Sequence, residues 1–370
     1  MITFTINRND LLHSIQAIIG VVERRSSASN QILNHVLIEA SNGRIVFTST
    51  DYEVQITAET SIKEKDEAFS ITAPAKKLFE IAKSLDEENI SISISDQDLA
   101  ITSSSSKFKL KTLPANDFML FDSPEEGVKF SISQSEIRDR LLKTHFAILS
   151  GDSEERPYLK GMLIETSPNK LVVYGCDGHR VNRAAAALDK KSVDEGRFVV
   201  PKKAIQELLR TLKDDGDMSV NLSDNRAVFD MGDTTLTTTL IAGVVPDYSK
   251  HIPTEPPISI HLDSDRLLSA LKRVSILSNE SVGGIWLDVN NDVITLSSEN
   301  PEQDSATETI MIEDTNKQIT VGFKAAYLID AIQAFKSGVV SLGLTDNKKG
   351  ATITTPADPG TVLLVMPMRL

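Results

Sequence analysis

The sequence predicts an α+β protein made of three copies of one unit, each containing two strand–helix–three-strand modules. Two observations lead to this prediction. The stretch FTINRNDLLHSIQAII near the start returns as FSISQSEIRDRLLKTHFAI and again as ISIHLDSDRLLSALKRVSIL. Between these stretches, apolar residues alternate with Ser, Thr and Asp at the period of two that is typical of strands.

The first helix of each copy follows a short strand and a capping residue. Asn7, Ser133 and Asp263 stand at equivalent N-cap positions, where a side-chain oxygen can accept a backbone N–H. Apolar residues then recur at helical spacing, as they do from Leu11 to Ile18. The pattern predicts three amphipathic helices, one at the start of each copy.

A second helix is predicted later in every copy. Its three versions read PAKKLFEIAKSL from Pro74, PKKAIQELLRTL from Pro201 and FKAAYLIDAIQAF from Phe323. The first two begin with proline, whose missing N–H costs nothing in the first turn of a helix. Each copy therefore contributes two helices.

Turn signals and linkers complete the units. The tetrapeptides SNGR, SDNR and VNND are hairpin signals between the alternating stretches. The polar, proline-containing segments SPEEG (123–127) and IPTEPP (252–257) are typical of linkers. We therefore predict domains at residues 1–125, 126–253 and 254–370.

Length and composition narrow the class of protein. A chain of 370 residues suggests two or three domains. The start of the chain lacks a secretory pattern, and no stretch approaches the roughly 20 apolar residues of a membrane span. Cys176 is the single cysteine, which excludes an internal disulfide and suits a reducing cytoplasm, the predicted location.

Charge is distributed unevenly between the helices and the rest of the chain. The net charge of −13 argues at first against a nucleic-acid partner. The six predicted helical windows, however, hold 16 Lys/Arg against 8 Asp/Glu, which leaves 23 against 44 elsewhere. Helix propensity favours Glu nearly as much as Lys and does not explain this imbalance. Repeated basic helices indicate a surface that binds the phosphate backbone of a nucleic acid without sequence preference.

Catalytic and metal-binding motifs are absent from the sequence. It contains no phosphate-binding loop, no zinc-protease helix motif and no nucleophile elbow, and its six histidines are scattered. The alternative to a binding protein is a hydrolase or transferase with a site at Cys176–Arg180, in the stretch GCDGHR. Residues this close in a tight turn do not easily aim at one another, and Asp177–Gly178 is a turn signal. We predict a non-catalytic protein without cofactor or metal.

The chain resembles the β subunit of bacterial replicative DNA polymerase, the sliding-clamp family, over essentially its whole length. The motifs that carry the resemblance are STDYE from Ser49, LKTLPANDF from Leu110, YLKGMLIE from Tyr158, CDGHR from Cys176, VPKKAIQELL from Val200, PDY from Pro246, ILSNE from Ile276, NPEQ from Asn300 and the terminal MPMRL. The resemblance implies a processivity factor with three clamp domains per chain. It also implies a head-to-tail homodimer that closes into a ring around duplex DNA, with helices lining the hole and antiparallel sheets outside.

The resemblance also implies a hydrophobic groove between the second and third domains. Replicative and repair polymerases and the clamp loader would insert short linear peptides there. The matching residues are Leu159, Cys176, Gly178, His179, Arg180, Val181, Pro246, Lys250, Tyr327, Val365, Met366, Pro367, Met368 and Arg369. Methionine suits such a site, because its flexible thioether can repack against different peptides.

Two further surfaces are predicted. Contact with DNA is assigned to basic residues of the helices and of one loop, namely Arg24, Arg25, Lys76, Lys77, Arg138, Lys143, Lys202, Lys203, Lys272 and Arg273. The dimer interface is assigned an apolar centre of Phe108, Leu110, Ile276 and Leu277. The charges of the basic strand KFKLK (107–111) and of the acidic stretch 300–308 are predicted to set the direction in which the two copies pair.

Overall fold

The computed structural model of the chain describes residues 2–23, 31–62, 68–95, 97–122, 125–151, 155–188, 193–336 and 338–369. Within these ranges it contains 24 strands and six α-helices. No helix in the described ranges is long and apolar enough to cross a membrane.

Each predicted repeat has the order strand, helix, three strands, twice over, as the sequence indicated. The elements of the first are β1 (Ile2–Asn7), α1 (Arg8–Ile18), β2 (His35–Ser41), β3 (Arg44–Thr50), β4 (Val54–Ser61), β5 (Phe69–Pro74), α2 (Ala75–Ser84), β6 (Asn89–Ser95), β7 (Asp98–Ser103) and β8 (Ser106–Lys111). Those of the second are β9 (Val128–Ser133), α3 (Gln134–Thr144), β10 (Gly161–Ser167), β11 (Lys170–Cys176), β12 (Arg180–Ala187), β13 (Gly196–Pro201), α4 (Lys202–Thr211), β14 (Asp217–Leu222), β15 (Arg226–Asp230) and β16 (Thr234–Thr239). Those of the third are β17 (Ile258–Asp263), α5 (Ser264–Ser275), β18 (Gly284–Asn290), β19 (Val293–Glu299), β20 (Ser305–Met311), β21 (Gln318–Lys324), α6 (Ala325–Gln333), β22 (Val339–Leu344), β23 (Ala351–Thr354) and β24 (Thr361–Val365).

Two of the three predicted helix caps are confirmed. The Asn7 carboxamide oxygen accepts the backbone N–H of Asn9 at 2.8 Å, and Asp263 accepts that of Arg266 at 2.8 Å. Each bond satisfies a donor that the first turn of a helix leaves without an intrahelical partner. The hydroxyl of Ser133, the third predicted cap, lies 2.8 Å from the hydroxyl of Ser135.

The chain divides into two compact units. One contains Met1–Ser135 and Lys203–Leu240, and the other contains Glu136–Lys202 and Ile241–Leu370. This division cuts through the predicted second repeat, so the domain boundaries at 125 and 253 remain a prediction.

Each unit contains one four-stranded and one eight-stranded antiparallel sheet. In the first unit the strand orders are β1-β6-β7-β8 and β5-β2-β3-β4-β16-β15-β14-β9. In the second unit they are β13-β10-β11-β12-β24-β23-β22-β17 and β20-β19-β18-β21. The eight-stranded sheets therefore run from one repeat into the next.

The strand pairs that join two repeats share one register. In the first unit β16 pairs with β4 so that Thr234 lies opposite Ala58 and Thr238 opposite Val54. In the second unit β24 pairs with β12, and Thr361 lies opposite Ala184. Both junctions join the fourth strand of one half-sheet to the fourth strand of the next.

The core of the third repeat lies under α5 and α6. Leu267 and Leu271 of α5 and Leu328 and Ile332 of α6 are buried together with inward-facing strand residues. Their spacing of four residues places each pair on one face of its helix. The exposed face of α5 is polar, as the sequence pattern predicted, whereas α6 leaves Ala326 exposed and Ile329 half-buried.

Candidate binding groove

The fourteen residues predicted to form the groove all belong to the second unit. They come from a 3-10 turn at 157–160, the β11–β12 hairpin, the segment 245–251, helix α6, the last residue of β24 and the residues that follow it. The fold therefore brings together positions that are far apart in sequence.

The hairpin turn in GCDGHR is built by Asp177. Its carboxylate oxygen Oδ1 accepts the backbone N–H groups of His179 at 2.9 Å and Arg180 at 3.0 Å. Gly178 has φ +90°, a left-handed conformation that glycine adopts without steric cost. The motif is thus a structural turn, as the Asp-Gly signal predicted.

Cys176 does not have the surroundings of a catalytic nucleophile. The residue is buried, and burial raises the pKa of its thiol to about 11. His179 is exposed and stacks on the ring of Tyr327, with 6.4 Å between centroids. Across the described ranges, no group of His, Cys, Asp and Glu side chains could hold a metal ion. The hydrolase or transferase alternative has no support in this arrangement.

An apolar cluster forms the floor of the candidate site. Its members pack together from several parts of the second unit and include Leu159, Cys176, Val181, Val245, Tyr248 and Leu364. Val181 of β12 and Leu364 of β24 lie directly opposite each other across the strand pair. The sheet junction between the second and third repeats therefore contributes two opposed residues to this apolar cluster.

The guanidinium of Arg180 ties three parts of the groove together. Its Nε donates to Asp177 Oδ2 at 2.9 Å, Nη1 donates to Asp330 Oδ2 at 2.7 Å, and Nη2 donates to the backbone oxygen of Phe146 at 2.7 Å. Only 8% of the residue is exposed. All three guanidinium nitrogens are thus engaged within the protein, which makes Arg180 a structural link rather than a free donor for a ligand.

The same guanidinium lies over two aromatic rings. It is 4.4 Å from the centroid of Tyr327 and 5.3 Å from that of Phe146, within the range of cation–π attraction. Burial, followed by the nearby charge of Asp177, raises the pKa of the Tyr327 phenol. The Tyr327 ring is therefore held against Arg180 as a neutral wall of the groove.

Backbone hydrogen bonds hold the end of the chain at two alternate residues. The backbone N–H of Met366 donates to His179 O at 2.9 Å, and that of Met368 donates to Gly322 O at 2.9 Å. Met366 is 38% exposed. The tail is therefore anchored through its backbone while the Met366 side chain faces solvent, as a groove wall requires.

Not every predicted groove residue contributes a side chain to this surface. Val365 is fully buried in the core under α5 and α6. Lys250 and Arg369 are exposed, and the Lys250 ammonium lies 3.6 Å from Asp247. Pro246 is held through its backbone, because its carbonyl oxygen accepts a hydrogen bond from Arg197 at 3.0 Å.

Sequence reasoning missed Phe146, Asp330 and Arg197, which hold the groove residues in place. Asp330 lies three residues after Tyr327, on the same face of a helix, and this spacing was a readable signal. Phe146 and Arg197 act through tertiary contacts with residues 34 and 48 positions away, and no local pattern indicates them.

The predicted DNA-contacting residues fall into distinct groups. Arg24 and Arg25 lie outside the described residues. Lys76, Lys77 and Lys272 are exposed on α2 and α5.

Four other predicted residues already bind groups of the protein, and three of them do so through ion pairs. The Lys143 ammonium donates to Asp139 at 2.6 Å and to Asp358 at 2.7 Å, and its side chain is 12% exposed. Lys203 pairs with Asp51, and Arg273 pairs with Glu308. Lys202 donates to Ile148 O at 2.9 Å. Arg138 is half-buried on α3.

The predicted dimer residues are divided between the two units. Ile276, just after α5, is 76% exposed, and Leu277 is half-buried. Phe108 and Leu110 lie on β8, where Leu110 is only 7% exposed. Charges next to these residues are paired within the chain, because Asp98 binds both Lys109 and Lys111 at 2.8 Å.

Family models match the chain in three consecutive parts. Residues 2–122 match the N-terminal domain of the DNA polymerase III beta subunit, residues 131–247 match its central domain, and residues 249–369 match its C-terminal domain. Together these models account for nearly the whole chain.

Curated relatives and a solved structure agree with these matches. The beta sliding clamp of Pseudomonas aeruginosa is 34% identical over 369 residues, covering 99% of this chain and 100% of that protein. The beta sliding clamp of Escherichia coli K12 is 31% identical over 370 residues with the same coverage. A crystal structure of the P. aeruginosa clamp bound to griselimycin superposes with a TM-score of 0.95, covering 100% of this chain and 99% of that chain.

We predict that the Cys176 thiol of the native protein reacts slowly with a disulfide reagent at pH 8. A thiol with a pKa of about 11 carries roughly a hundredfold less thiolate than one at the ordinary value of 9. The rate should rise as the pH approaches 11, and unfolding in urea should remove the protection. Because Cys176 is the single cysteine, the released chromophore reports this site alone. Equal rates for the native and unfolded chains at pH 8 would contradict the assignment.

Proposed function

The chain belongs to the DNA polymerase III beta subunit family, and on that premise we propose that two copies form a closed ring around duplex DNA. The chain is a DNA sliding clamp with three clamp domains. In our proposal the ring has no catalytic activity of its own. It tethers the replicative polymerase, the clamp loader and repair polymerases, each of which inserts a short peptide into the groove.

The edge strands β8 and β20 are the observation that carries the ring proposal. The four-stranded sheets end on β8 in the first unit and on β20 in the second. In the eight-stranded sheets, the strands equivalent to β8 are β16 and β24, and the strands equivalent to β20 are β4 and β12. Those equivalent strands pair with each other at both repeat junctions. Pairing of β8 with β20 of a second copy would make a third junction and remove both edges.

The repeat symmetry also gives a register for this third junction. The three repeats can be aligned at the caps of their first helices, Asn7, Ser133 and Asp263. Following the paired residues from strand to strand then makes Leu110 the counterpart of Thr238 and Val365 in the other two repeats. Alignment of the repeats at the β3–β4, β11–β12 and β19–β20 hairpins makes Glu308 the counterpart of Ala58 and Ala184.

We apply the register of the β4–β16 and β12–β24 pairs to β8 of one copy and β20 of the other. Phe108 then lies opposite Ala306 of the second copy, and Lys107 lies opposite Thr307. Phe108 and Ala306 are both half-buried, whereas Lys107 and Thr307 are both exposed. The side chains of each proposed pair therefore share a face, as they must in a real strand pair.

The groove proposal rests on shape and chemistry. An apolar floor, a fixed aromatic wall at Tyr327 and a partly exposed Met366 suit a short peptide with apolar anchors. A peptide of about six residues buries much less than a standard interface, so each partner should bind with roughly micromolar affinity.

We predict that cysteines at the proposed opposed positions will crosslink two copies. A chain carrying Lys107→Cys and Thr307→Cys should form a covalent dimer under mild oxidation, because directly opposed strand residues lie within disulfide reach. Non-reducing electrophoresis measures the product. A matched chain carrying Lys107→Cys and Met311→Cys places the second cysteine on the same face, four residues away, and should crosslink poorly. Equal crosslinking of both chains, or of neither, would contradict the register.

We predict that removal of Met366–Leu370 abolishes peptide binding without disturbing the ring. The deletion removes the exposed Met366 side chain and two backbone anchors, whereas β8, β20 and the helices are untouched. Fluorescence anisotropy with a peptide of the Gln-Leu-x-Leu-Phe type tests binding, and sedimentation of the same sample tests the dimer. Unchanged peptide affinity in a dimeric truncated chain would show that the tail only packs against the core.

We predict that contact with open DNA is weak, independent of sequence and dependent on the unpaired lysines. Replacing Lys272 by Gln should reduce the slope of log affinity against log salt by up to about 0.9. Replacing Lys143 by Gln should change it much less, because Asp139 and Asp358 already neutralise that ammonium. Binding titrations over a range of salt concentrations measure both slopes. A larger change for Lys143 than for Lys272, or a sequence-selective affinity, would contradict the assignment.

A further inference from the structure

A cavity of about 530 Å³ lies on the same sheet face as the groove floor, one step farther along β12 and β24. Val181 and Leu364 of the groove floor are opposed, and the next residues on that face, Arg183 and Val362, are also opposed. Two residues along a strand span roughly 7 Å. Because Arg183 and Val362 line the cavity, it begins where the groove floor ends.

The wall of this cavity is rich in hydroxyl groups and free of carboxylates. Ser259, Ser341, Thr352 and Thr354 line it together with Arg183, and no Asp or Glu is among its described lining residues. The chain as a whole has 52 acidic and 39 basic residues. A cavity with one cation, several hydroxyl donors and no carboxylate is therefore suited to an anionic group.

The segment after the groove gives the cavity a fixed shape. Pro256 packs so closely on Gly343 that a Cβ at position 343 would lie 2.6 Å from the Pro256 ring and 2.3 Å from Thr352 Oγ1. The absence of a side chain at Gly343 thus allows the segment 252–256 to lie against the sheet. Ile252, Pro253 and Pro256 of this segment contribute apolar lining together with Val362.

Arg183 retains hydrogen-bonding capacity for a ligand. Its Nη1 donates to Gly360 O at 3.1 Å, and it also contacts the Tyr174 hydroxyl. A neighbouring cavity shares Arg183 and is lined by Glu165 and Glu195, of which Glu165 is paired with Arg197 at 2.9 Å. Within the part of the chain that the structure describes, Arg183 forms no ion pair.

We propose that this cavity receives an acidic side chain from the partner segment that flanks the groove-bound motif. The inference rests on the proposed function of the groove and adds a chemical preference to it. An Asp or Glu carboxylate would accept hydrogen bonds from Arg183 and from the surrounding Ser and Thr hydroxyls. Partners that carry such a residue beyond the apolar anchors would bind more tightly than partners with the anchors alone.

Labelled peptides that differ only in their flanks test this preference with the full-length protein. The core peptide of the Gln-Leu-x-Leu-Phe type is extended at either end by two Glu residues, or by two Gln residues as the neutral match. We expect the Glu extension at one end to tighten binding by about three- to tenfold over its Gln match at low salt. Arg183→Gln should remove this gain without changing the affinity of the core peptide, and Arg183→Lys should retain part of it.

Lys170→Gln is the matched control, since Lys170 lines the neighbouring cavity but not this one. It should leave the gain intact. Equal binding of Glu and Gln extensions at both ends would overturn the proposal, as would a gain that survives Arg183→Gln. If added inorganic phosphate abolishes the gain by binding Arg183 with comparable affinity, the site is a free-anion site and the peptide assignment is wrong. Failure of the core peptide itself to bind would instead refute the groove, which separates the two hypotheses.

Discussion

Strand pairing across repeat boundaries is the constraint on which the rest of the structure depends. Each half of a repeat is too small to bury both its helix and its sheet edge, so its fourth strand needs a partner from outside. Within each unit that partner is the fourth strand of the adjacent repeat, in one shared register. The equivalent strands β8 and β20 are edge strands that pair on one side only, with β7 and β19, and this difference leads to the proposed ring.

The proposed groove lies at one such junction. At the junction in the second unit, Cys176, Val181 and Met366 offer an apolar surface at the ends of β11, β12 and β24. At the equivalent positions in the first unit stand Thr50, Gln55 and Thr239. The Gln55 side-chain oxygen accepts the backbone N–H of Phe121 at 2.9 Å, so the following linker is bound there. The same backbone arrangement thus makes an apolar site at one junction and a polar, covered surface at the other.

Local patterns in the sequence were sufficient to predict the repeat and its modules, whereas the groove residues came from the family resemblance and remain a prediction. Caps, proline at helix starts and alternation of apolar residues act within a few positions, so they can be read directly. Whether a given cation is free could not be read, because that depends on partners far along the chain. Lys143 lies against Asp358, 215 positions away, and Arg273 lies against Glu308 on a neighbouring strand. Val365 was predicted to line the groove but packs in the core. Successive side chains of β24 point to opposite faces of the sheet, and Val365 points to the core face.

Hydrogen–deuterium exchange of the wild-type chain tests the central claim most directly. If β8 and β20 of two copies pair, their amides should be protected as strongly as those of β4 and β16. Protection of the two edges should also be lost together when the protein is diluted below its dissociation constant. Fast exchange of β8 and β20 at high protein concentration, with β4 and β16 protected, would show that the edges stay unpaired and that the chain does not form the proposed ring.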